Sequence, residues 1–191
     1  MKKIWLSPPH ISGNELQKIQ QVFQENWIAP VGPQIGEFEA KISSFLGGQN
    51  RHVVALNSGT SALHLALKLL NIGKGDVVIC QSLSFAASVN PVLYEGATPV
   101  FVDSEKETYN LSPVYLEEAI TSQIKKGKKP KAIIAVHIYG MPYKVDEIHR
   151  ISAKYEIPII EDAAEAMGSR YSNRACGSFG DLALFSFNGN K

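Results

Sequence analysis

Three groups of polar residues in this sequence have the types and the spacing to do chemistry. Asn57-Ser58-Gly59-Thr60 joins an apolar run to a helical pattern, where free backbone N–H groups and the helix dipole favour an anion such as phosphate. Glu161 and Asp162 follow a buried apolar run, and a carboxylate in such a place needs a cationic partner. Lys191 follows the apolar run 182–187 and offers a primary amine.

Each group also has an ordinary structural explanation. Ser58 or Thr60 could cap the helix, Asp162 could cap the turn that follows it, and a single lysine is usually a surface residue. Together, however, the groups supply an anion site, a carboxylate for a protonated ring nitrogen and an amine for a Schiff base. These are the requirements of pyridoxal 5′-phosphate (PLP), so the combination favours a PLP enzyme.

Other chemistries lose support from the same sequence. Gly73 and Gly75 precede a predicted strand instead of following one, and no GxxxxGK[ST] motif occurs, which disfavours nicotinamide and nucleoside triphosphate chemistry. The five histidines show no HExxH arrangement, and no metal site is expected. His137, at a strand end, is more often a hydrogen-bonded core histidine than a ligand.

The apolar periodicity predicts two N-terminal helices followed by strands that alternate with helices. The predicted strands are 53–56, 77–80, 99–102, 132–137, 158–161 and 182–187, and the predicted helices are 16–23, 35–45, 61–70, 85–94, 112–125 and 144–155. This alternation predicts an α/β fold with a mostly parallel sheet flanked by helices. Ligands bind such sheets at the carboxyl ends of the strands, which is where the three polar groups lie.

The composition limits the partners of the chain. Its 191 residues include 19 Lys and Arg against 18 Asp and Glu, a net charge of +1, so no electrostatic footprint for nucleic acid or an anionic membrane is expected. No apolar run approaches the roughly 20 residues of a membrane-spanning helix. Cys80 and Cys176 have no CxxC spacing. We therefore expect reduced thiols in a cytoplasmic protein.

Short motifs that recur in one enzyme family occur along the whole chain, at 6–10, 14–16, 28–30, 57–67, 84–85, 99–103, 137–140, 161–168 and 186–191. Together they resemble the sugar aminotransferases of the DegT/DnrJ/EryC1/StrS family. Within that family, the resemblance is strongest to the branch that makes 4-amino sugars on UDP, as in the UDP-N-acetylbacillosamine pathway.

The resemblance implies the type I aminotransferase fold and a division of the chain. Residues 1–50 would form an N-terminal helical segment and residues 51–191 most of the PLP-binding large domain. The large domain would be incomplete, and the family's small C-terminal domain would be absent from residues 1–191.

The resemblance also implies roles for particular residues. Lys191 would be the catalytic lysine that forms the Schiff base, Asp162 the partner of the pyridine nitrogen, and Phe85 the ring that stacks on the cofactor. Three residues would hold the cofactor's phosphate: Gly59, Thr60 and Ser186. Glu165 would lie beside its phenolic oxygen, and Asn188 at the edge shared by cofactor and substrate. The nucleotide sugar would be contacted by Asn26, Trp27, Ile28 and Ala29.

The implied reaction moves an amino group from glutamate to C4 of a UDP-linked 4-keto-6-deoxy amino sugar. Two alternatives are open: the same chemistry on a GDP-linked or dTDP-linked keto sugar, and a non-catalytic regulator with the same fold. The resemblance further implies a homodimer whose subunits complete each other's active sites, and the apolar surface expected of the adjacent residues Trp27 and Ile28 is in keeping with such an interface.

Overall fold

A computed structural model describes residues 3–5, 8–48, 51–189 and 191. Leu6, Ser7 and Asn190, which belong to the stretches that carry the resemblance, and Asn50, at the predicted domain boundary, lie outside the described residues. The chain divides into two compact units, Met1–Ala55 with Asn188–Lys191, and Leu56–Phe187.

The first unit contains the two predicted N-terminal helices, α1 (Glu15–Gln24) and α2 (Pro33–Phe45). Helix α1 ends where Asn26 adopts a left-handed conformation, with φ 57°. The N–H of Trp27 then donates to the carbonyl of Val22 at 3.0 Å, which is the hydrogen bond of a Schellman cap. Proline at the start of α2 suits a helical first turn, because the missing N–H would have no acceptor there.

The prediction of a strand at 53–56 is wrong. The chain there is irregular, and Val54 is 66% exposed. The N–H of Ala55 donates to the Glu39 carboxylate at 2.8 Å instead of to a neighbouring strand. A short apolar run is typical of a buried strand, but a strand also needs a ladder partner, and here a side chain satisfies the backbone.

The second unit is an α/β layer structure. Its strands are β1 (Val77–Gln81), β2 (Thr98–Val102), β3 (Ala132–Val136), β4 (Ile159–Asp162), β5 (Arg170–Tyr171), β6 (Arg174–Ala175) and β7 (Leu182–Leu184), and its helices are α3 (Gly59–Leu69), α4 (Asn90–Tyr94), α5 (Pro113–Lys125) and α6 (Val145–Tyr155). Five of the strands form an entirely parallel sheet in the order β2-β1-β3-β4-β7. The predicted fold class, a mostly parallel sheet flanked by helices, is confirmed. Among the described residues, no helix is long and apolar enough to cross a membrane.

Alternate residues of the central strands pack on opposite faces of this sheet. Ile133 in β3 contributes to the core that includes α5 and α6, whereas its neighbour Ile134 contributes to the core that includes α3 and α4. Both residues have no exposed surface. Burial on both faces explains why these strands are continuous apolar runs, and it leaves the strand ends as the places for polar chemistry.

Two predicted elements in this unit are shorter than expected. The predicted helix 85–94 is a 3₁₀ turn, Ala86–Ser88, followed by α4, because Pro91 has no N–H to continue the helical hydrogen bonds. The predicted strand 182–187 ends at Leu184, where its neighbour β4 also ends: Leu184 pairs with Asp162, the last residue of β4.

The small antiparallel pair of β5 and β6 was not predicted from the sequence. Ser172 and Asn173 join the two strands, and both have positive φ, 48° and 63°. Two such residues form the tight turn that suits a two-residue hairpin. The asparagine in that turn was the available signal, although strands of two residues leave no periodicity to detect.

Candidate active site

Several of the predicted site residues lie in the second unit near the carboxyl ends of its strands, and we call this region the polar edge. The beginning of α3 forms one part of it. Ser58 caps this helix, its Oγ accepting from the N–H of Ser61 at 3.1 Å, as the structural explanation of this motif expected. The cap leaves room for the functional explanation as well. The first turn of an α-helix presents N–H groups, here those of Gly59 and Thr60, that have no acceptor within the helix.

The chain that follows β7 lies against this helix start. A Cβ atom built on Gly59 would be 3.5 Å from the Cβ of Ser186 and 3.5 Å from Cδ1 of Leu184. Gly59 and Ser186, which the sequence analysis assigned to one phosphate, are therefore neighbours. A helix N-terminus beside a serine hydroxyl has the donor chemistry that a phosphate monoester needs.

Asp162 ends β4 and is 5% exposed. Its Oδ2 accepts a hydrogen bond from Oγ of Ser88 at 2.6 Å, and its Oδ1 accepts from the N–H of Ala164 at 3.1 Å. The second bond is the turn cap that was the alternative explanation of this residue. The first was not foreseen, since nothing in the sequence pairs a serine with an aspartate 74 residues away.

Phe85 stands immediately before the 3₁₀ turn that carries Ser88. The carbonyl of Phe85 accepts from the N–H of Ser88 at 2.9 Å, and Phe85 as a whole is 73% exposed. Ser84, on its other side, shares a 2.6 Å hydrogen bond with Ser88. One short connector therefore presents an aromatic face and also contacts the Asp162 carboxylate.

Glu165 lies against the connector that follows β3. Its Oε2 accepts from the N–H of Tyr139 at 3.0 Å. At the next residue, Gly140, φ is 79° and a Cβ atom would be 2.9 Å from the carbonyl oxygen of Glu165. Only glycine fits this approach without displacing backbone, so the two segments are held together after their strands end.

Glu161, next to Asp162, has a structural role that the sequence analysis did not foresee. Its side chain and that of His137 are fully buried, with Nε2 of His137 2.9 Å from Oε2 of Glu161. Nδ1 of His137 accepts from the N–H of Tyr143 at 3.4 Å, so Nε2 carries the ring's proton and donates to Glu161. The prediction that His137 is a hydrogen-bonded core histidine is confirmed.

The Glu161 carboxylate also organises the loop before β7. It accepts from the backbone N–H groups of Gly177, Phe179 and Gly180. Burial by itself raises the pKa of Glu161, but the hydrogen bond from His137 and those from the backbone outweigh burial and hold this pKa below its ordinary value. Glu161 is thus a buried anion fixed entirely by donors, and it is not available to a ligand.

The other predicted site residues belong to the first unit. Residues 26–29 follow the capped end of α1. Within this segment, Trp27 is 43% exposed and Ile28 is 62% exposed. The N–H of Lys191 donates to the carbonyl of Asn188 at 2.9 Å, and Lys191 is exposed. The roles of these residues stay predictions.

No group of three or more His, Cys, Asp or Glu side chains is arranged to hold a metal ion in the part of the chain that the structure describes. The polar edge instead consists of a helix start, a serine, a buried carboxylate and an exposed aromatic ring.

Residues 9–191 match the model of the DegT/DnrJ/EryC1/StrS aminotransferase family. The chain belongs to this family. Among its relatives, it is 50% identical over 190 residues to EpsN of Bacillus subtilis (strain 168), named as a candidate pyridoxal phosphate-dependent aminotransferase, and 42% identical over 191 residues to the GDP-perosamine synthase of Caulobacter vibrioides. Both alignments cover 100% of this chain, and they cover 48% and 49% of the relatives.

The aminotransferase fold implied by the resemblance is confirmed by solved structures of aminotransferases. The candidate sugar aminotransferase Spr1654 of Streptococcus pneumoniae, in its PLP form, superposes with a TM-score of 0.89 at 33% identity. That match covers 100% of this chain and 50% of the Spr1654 chain. The chain, with its 191 residues, therefore spans about half of the length of the relatives it matches.

Proposed function

We propose that the protein is a PLP-dependent aminotransferase that moves an amino group from glutamate to C4 of a nucleotide-linked 4-keto-6-deoxy sugar. The observation that carries the proposal is the Asp162 carboxylate, buried at the end of β4 and held by Ser88 and Ala164. A buried carboxylate that is aligned by two donors suits the protonated nitrogen of a heterocyclic ring.

The other residues of the second unit fit the same cofactor. Gly59 and Thr60 at the start of α3, with Ser186 beside them, offer donors to its phosphate. Phe85 offers an exposed ring for stacking. When bound, PLP supplies an electron-accepting ring that takes up the electrons released as a substrate carbon loses its proton.

The chain's own residues have separable tasks in this proposal. Asp162 keeps a proton on the ring nitrogen, which preserves the electron demand of the ring. Lys191 would attach the cofactor covalently and move the proton during amino transfer. Glu165 would contact the phenolic oxygen, Asn188 would lie where cofactor and substrate meet, and residues 26–29 would contact the nucleotide sugar.

The nucleotide part of the substrate has two main candidates, UDP and GDP. A UDP-linked sugar follows from the resemblance to the branch that makes UDP-linked 4-amino sugars. A GDP-linked sugar is favoured by the 42% identity to the GDP-perosamine synthase of Caulobacter vibrioides and by 40% identity to that of Escherichia coli O157:H7. We propose the UDP-linked 4-keto-6-deoxy amino sugar as substrate, with the GDP-linked sugar as the second candidate.

The proposal extends to assembly and location. A homodimer with shared active sites is supported by the exposed apolar side chains of Trp27 and Ile28, which a partner subunit would cover. A cytoplasmic location is supported by the free, buried thiols of Cys80 and Cys176, because oxidising compartments favour disulfides.

The cofactor and its attachment are tested on the full-length protein after reconstitution with PLP. Borohydride reduction followed by peptide mapping should find the cofactor on Lys191, and Lys191→Ala should abolish both labelling and turnover. Lys154→Ala is the matched control, since Lys154 is an exposed lysine whose ion pair is with Glu117 on α5. Labelling of a different lysine would refute the assignment.

The substrate is tested by competition. Purified enzyme with glutamate is given UDP-, GDP- and dTDP-linked 4-keto sugars in turn, and the formation of 2-oxoglutarate is measured. Preference for the UDP sugar supports the proposal, and preference for the GDP sugar supports the second candidate. Absence of amino transfer with every sugar and absence of a cofactor absorption band would favour a non-catalytic regulator.

A further inference from the structure

A chain of two hydroxyl groups ends on the Asp162 carboxylate. Ser88 Oγ is 2.6 Å from Asp162 Oδ2, and Ser84 Oγ is 2.6 Å from Ser88 Oγ. A carboxylate can only accept, so the single hydrogen of the Ser88 hydroxyl goes to Asp162. Ser84 must therefore donate to Ser88, and the direction of the whole chain is fixed.

Ser88, which contacts Asp162 directly, is itself held rigidly. Ser88 is 4% exposed, Asp162 is 5% exposed, and the N–H of Ser88 donates to the carbonyl of Phe85 at 2.9 Å. Oδ1 of Asp162 is fixed separately by the N–H of Ala164. With one donor on each oxygen, the plane of the carboxylate cannot rotate without breaking a buried hydrogen bond.

We propose that Ser88 is a positioning residue for the amino-transfer reaction, which sets the orientation of Asp162 toward the cofactor's ring nitrogen, with Ser84 aligning the Ser88 hydroxyl. The inference rests on the proposed function, because it assigns the Asp162 carboxylate to a ring nitrogen. Its physical basis is preorganisation: a carboxylate already locked in place needs no reorientation when the ring binds.

The test uses full-length apoprotein and two ligands that form no bond with a lysine. 4′-Deoxypyridoxine 5′-phosphate carries the ring nitrogen and the phosphate, whereas inorganic phosphate carries only the anion. Ser88→Ala should raise the Kd of the ring ligand about tenfold, the effect of removing a hydrogen bond to a charged group. The Kd of inorganic phosphate should stay within about twofold, because Ser88 does not contribute to the anion site.

Three further variants separate orientation from folding. Ser88→Thr keeps the hydroxyl and should restore the Kd of the ring ligand to within about threefold of wild type. Ser84→Ala leaves the Ser88 donor in place and should raise that Kd only about two- to threefold. Ser152→Ala is the matched control: Ser152 donates to the carbonyl of Ile157 at 2.6 Å in α6, so its loss should lower the melting temperature without changing either Kd.

Asp162→Asn distinguishes failure of this inference from failure of the proposed function. If Asp162→Asn weakens the ring ligand and Ser88→Ala does not, the role of Ser88 is refuted and that of Asp162 stands. If Asp162→Asn leaves the ring ligand unaffected, both fail. If Ser88→Ala does not fold, the comparison of Ser84→Ala with wild type decides, and an unchanged Kd there overturns the inference.

Discussion

The imidazole of His137 donates a hydrogen bond to the carboxylate of Glu161 across 2.9 Å, and neither side chain is exposed to solvent. Because His137 follows β3 and Glu161 lies in β4, this bond joins the carboxyl ends of two neighbouring strands. The same carboxylate accepts from the N–H groups of Gly177, Phe179 and Gly180 before β7. Glu161 therefore holds together the segment after β3, the end of β4 and the loop before β7, and so fixes the backbone that carries its neighbour, Asp162.

The stability of the protein should depend on the charge of Glu161 in acid. Its pKa in the folded protein lies below the ordinary 4.5, so the stabilisation that it gives is present above pH 4.5 and is lost as the pH falls through the lower folded value. Glu161→Gln should cost about 2 kcal/mol at pH 7, because the amide replaces two acceptor sites with donors. The free energy of unfolding should also fall less steeply below about pH 5 in this variant than in wild type.

Urea unfolding of the full-length protein at a series of pH values measures both effects. Glu118→Gln is the control, because it removes a carboxylate at an exposed position on α5 and leaves the buried hydrogen bonds of Glu161 intact. Parallel acid profiles for wild type and Glu161→Gln would contradict the assigned role of this group.

Replacing Asp162 should separate folding from chemistry. In Asp162→Asn the amide oxygen can still accept from the N–H of Ala164, and the amide nitrogen can donate to Oγ of Ser88, whose own hydrogen can turn to Ser84. The protein should therefore fold with a melting temperature close to that of wild type. The amide cannot hold a proton on a ring nitrogen, and kcat should fall about 10²-fold or more, as it does when a preorganised electrostatic group is removed. Turnover from glutamate measures the effect, and near-normal kcat in a folded variant would rule out the counter-ion role.

Phe85 should contribute to the retention of the cofactor without contributing to the core. The residue is 73% exposed, so Phe85→Ala removes little packing within the protein. Stacking of aromatic rings contributes about 1 kcal/mol beyond buried area, so PLP should dissociate at least about fivefold more readily from this variant, which also loses the area buried against the ring. Equilibrium dialysis measures the loss, and Phe85→Tyr, which keeps the ring, should behave as wild type. Equal affinity in all three proteins would exclude stacking.

The sequence was sufficient to predict the parallel sheet because its central strands are buried on both faces. Runs such as 132–136 contain only apolar residues, and they alternate with amphipathic helices. The strand predicted at 53–56 failed for the complementary reason. An apolar run indicates that a strand is possible, whereas the presence of a neighbouring strand to pair with depends on the tertiary fold.

The position of Asp162 could also be predicted, since it follows a buried strand at the edge where ligands bind parallel sheets. The helix start at Gly59 was predicted as well, but from a strand at 53–56 that the structure does not contain. The contacts that hold them could not be predicted. The bond from Ser88 to Asp162 and the bond from His137 to Glu161 join residues that are distant in sequence, and serine and histidine occur in many other roles. Only the fold brings each donor to its acceptor.

Gly180 has no side chain, and this allows β7 to lie beside β4. A Cβ atom at this position would be 2.8 Å from the carbonyl oxygen of Ile159 and 3.2 Å from that of Leu182. Both contacts are with backbone, so no change of side-chain rotamer can relieve them. Gly180→Ala should therefore cost about 2 kcal/mol or more, the usual penalty for overpacking a rigid site.

The displaced backbone should also affect ligand binding, because β7 leads to Ser186 beside the start of α3. We expect Gly180→Ala to lower the melting temperature and to weaken binding of inorganic phosphate in the same protein. Gly73→Ala is the matched control: no atom lies within 4 Å of a Cβ built on Gly73, and its φ is not in the left-handed region, so alanine there should be tolerated. If Gly180→Ala were as stable as Gly73→Ala, and bound phosphate equally well, the close packing of β7 on β4 would not be what places Ser186.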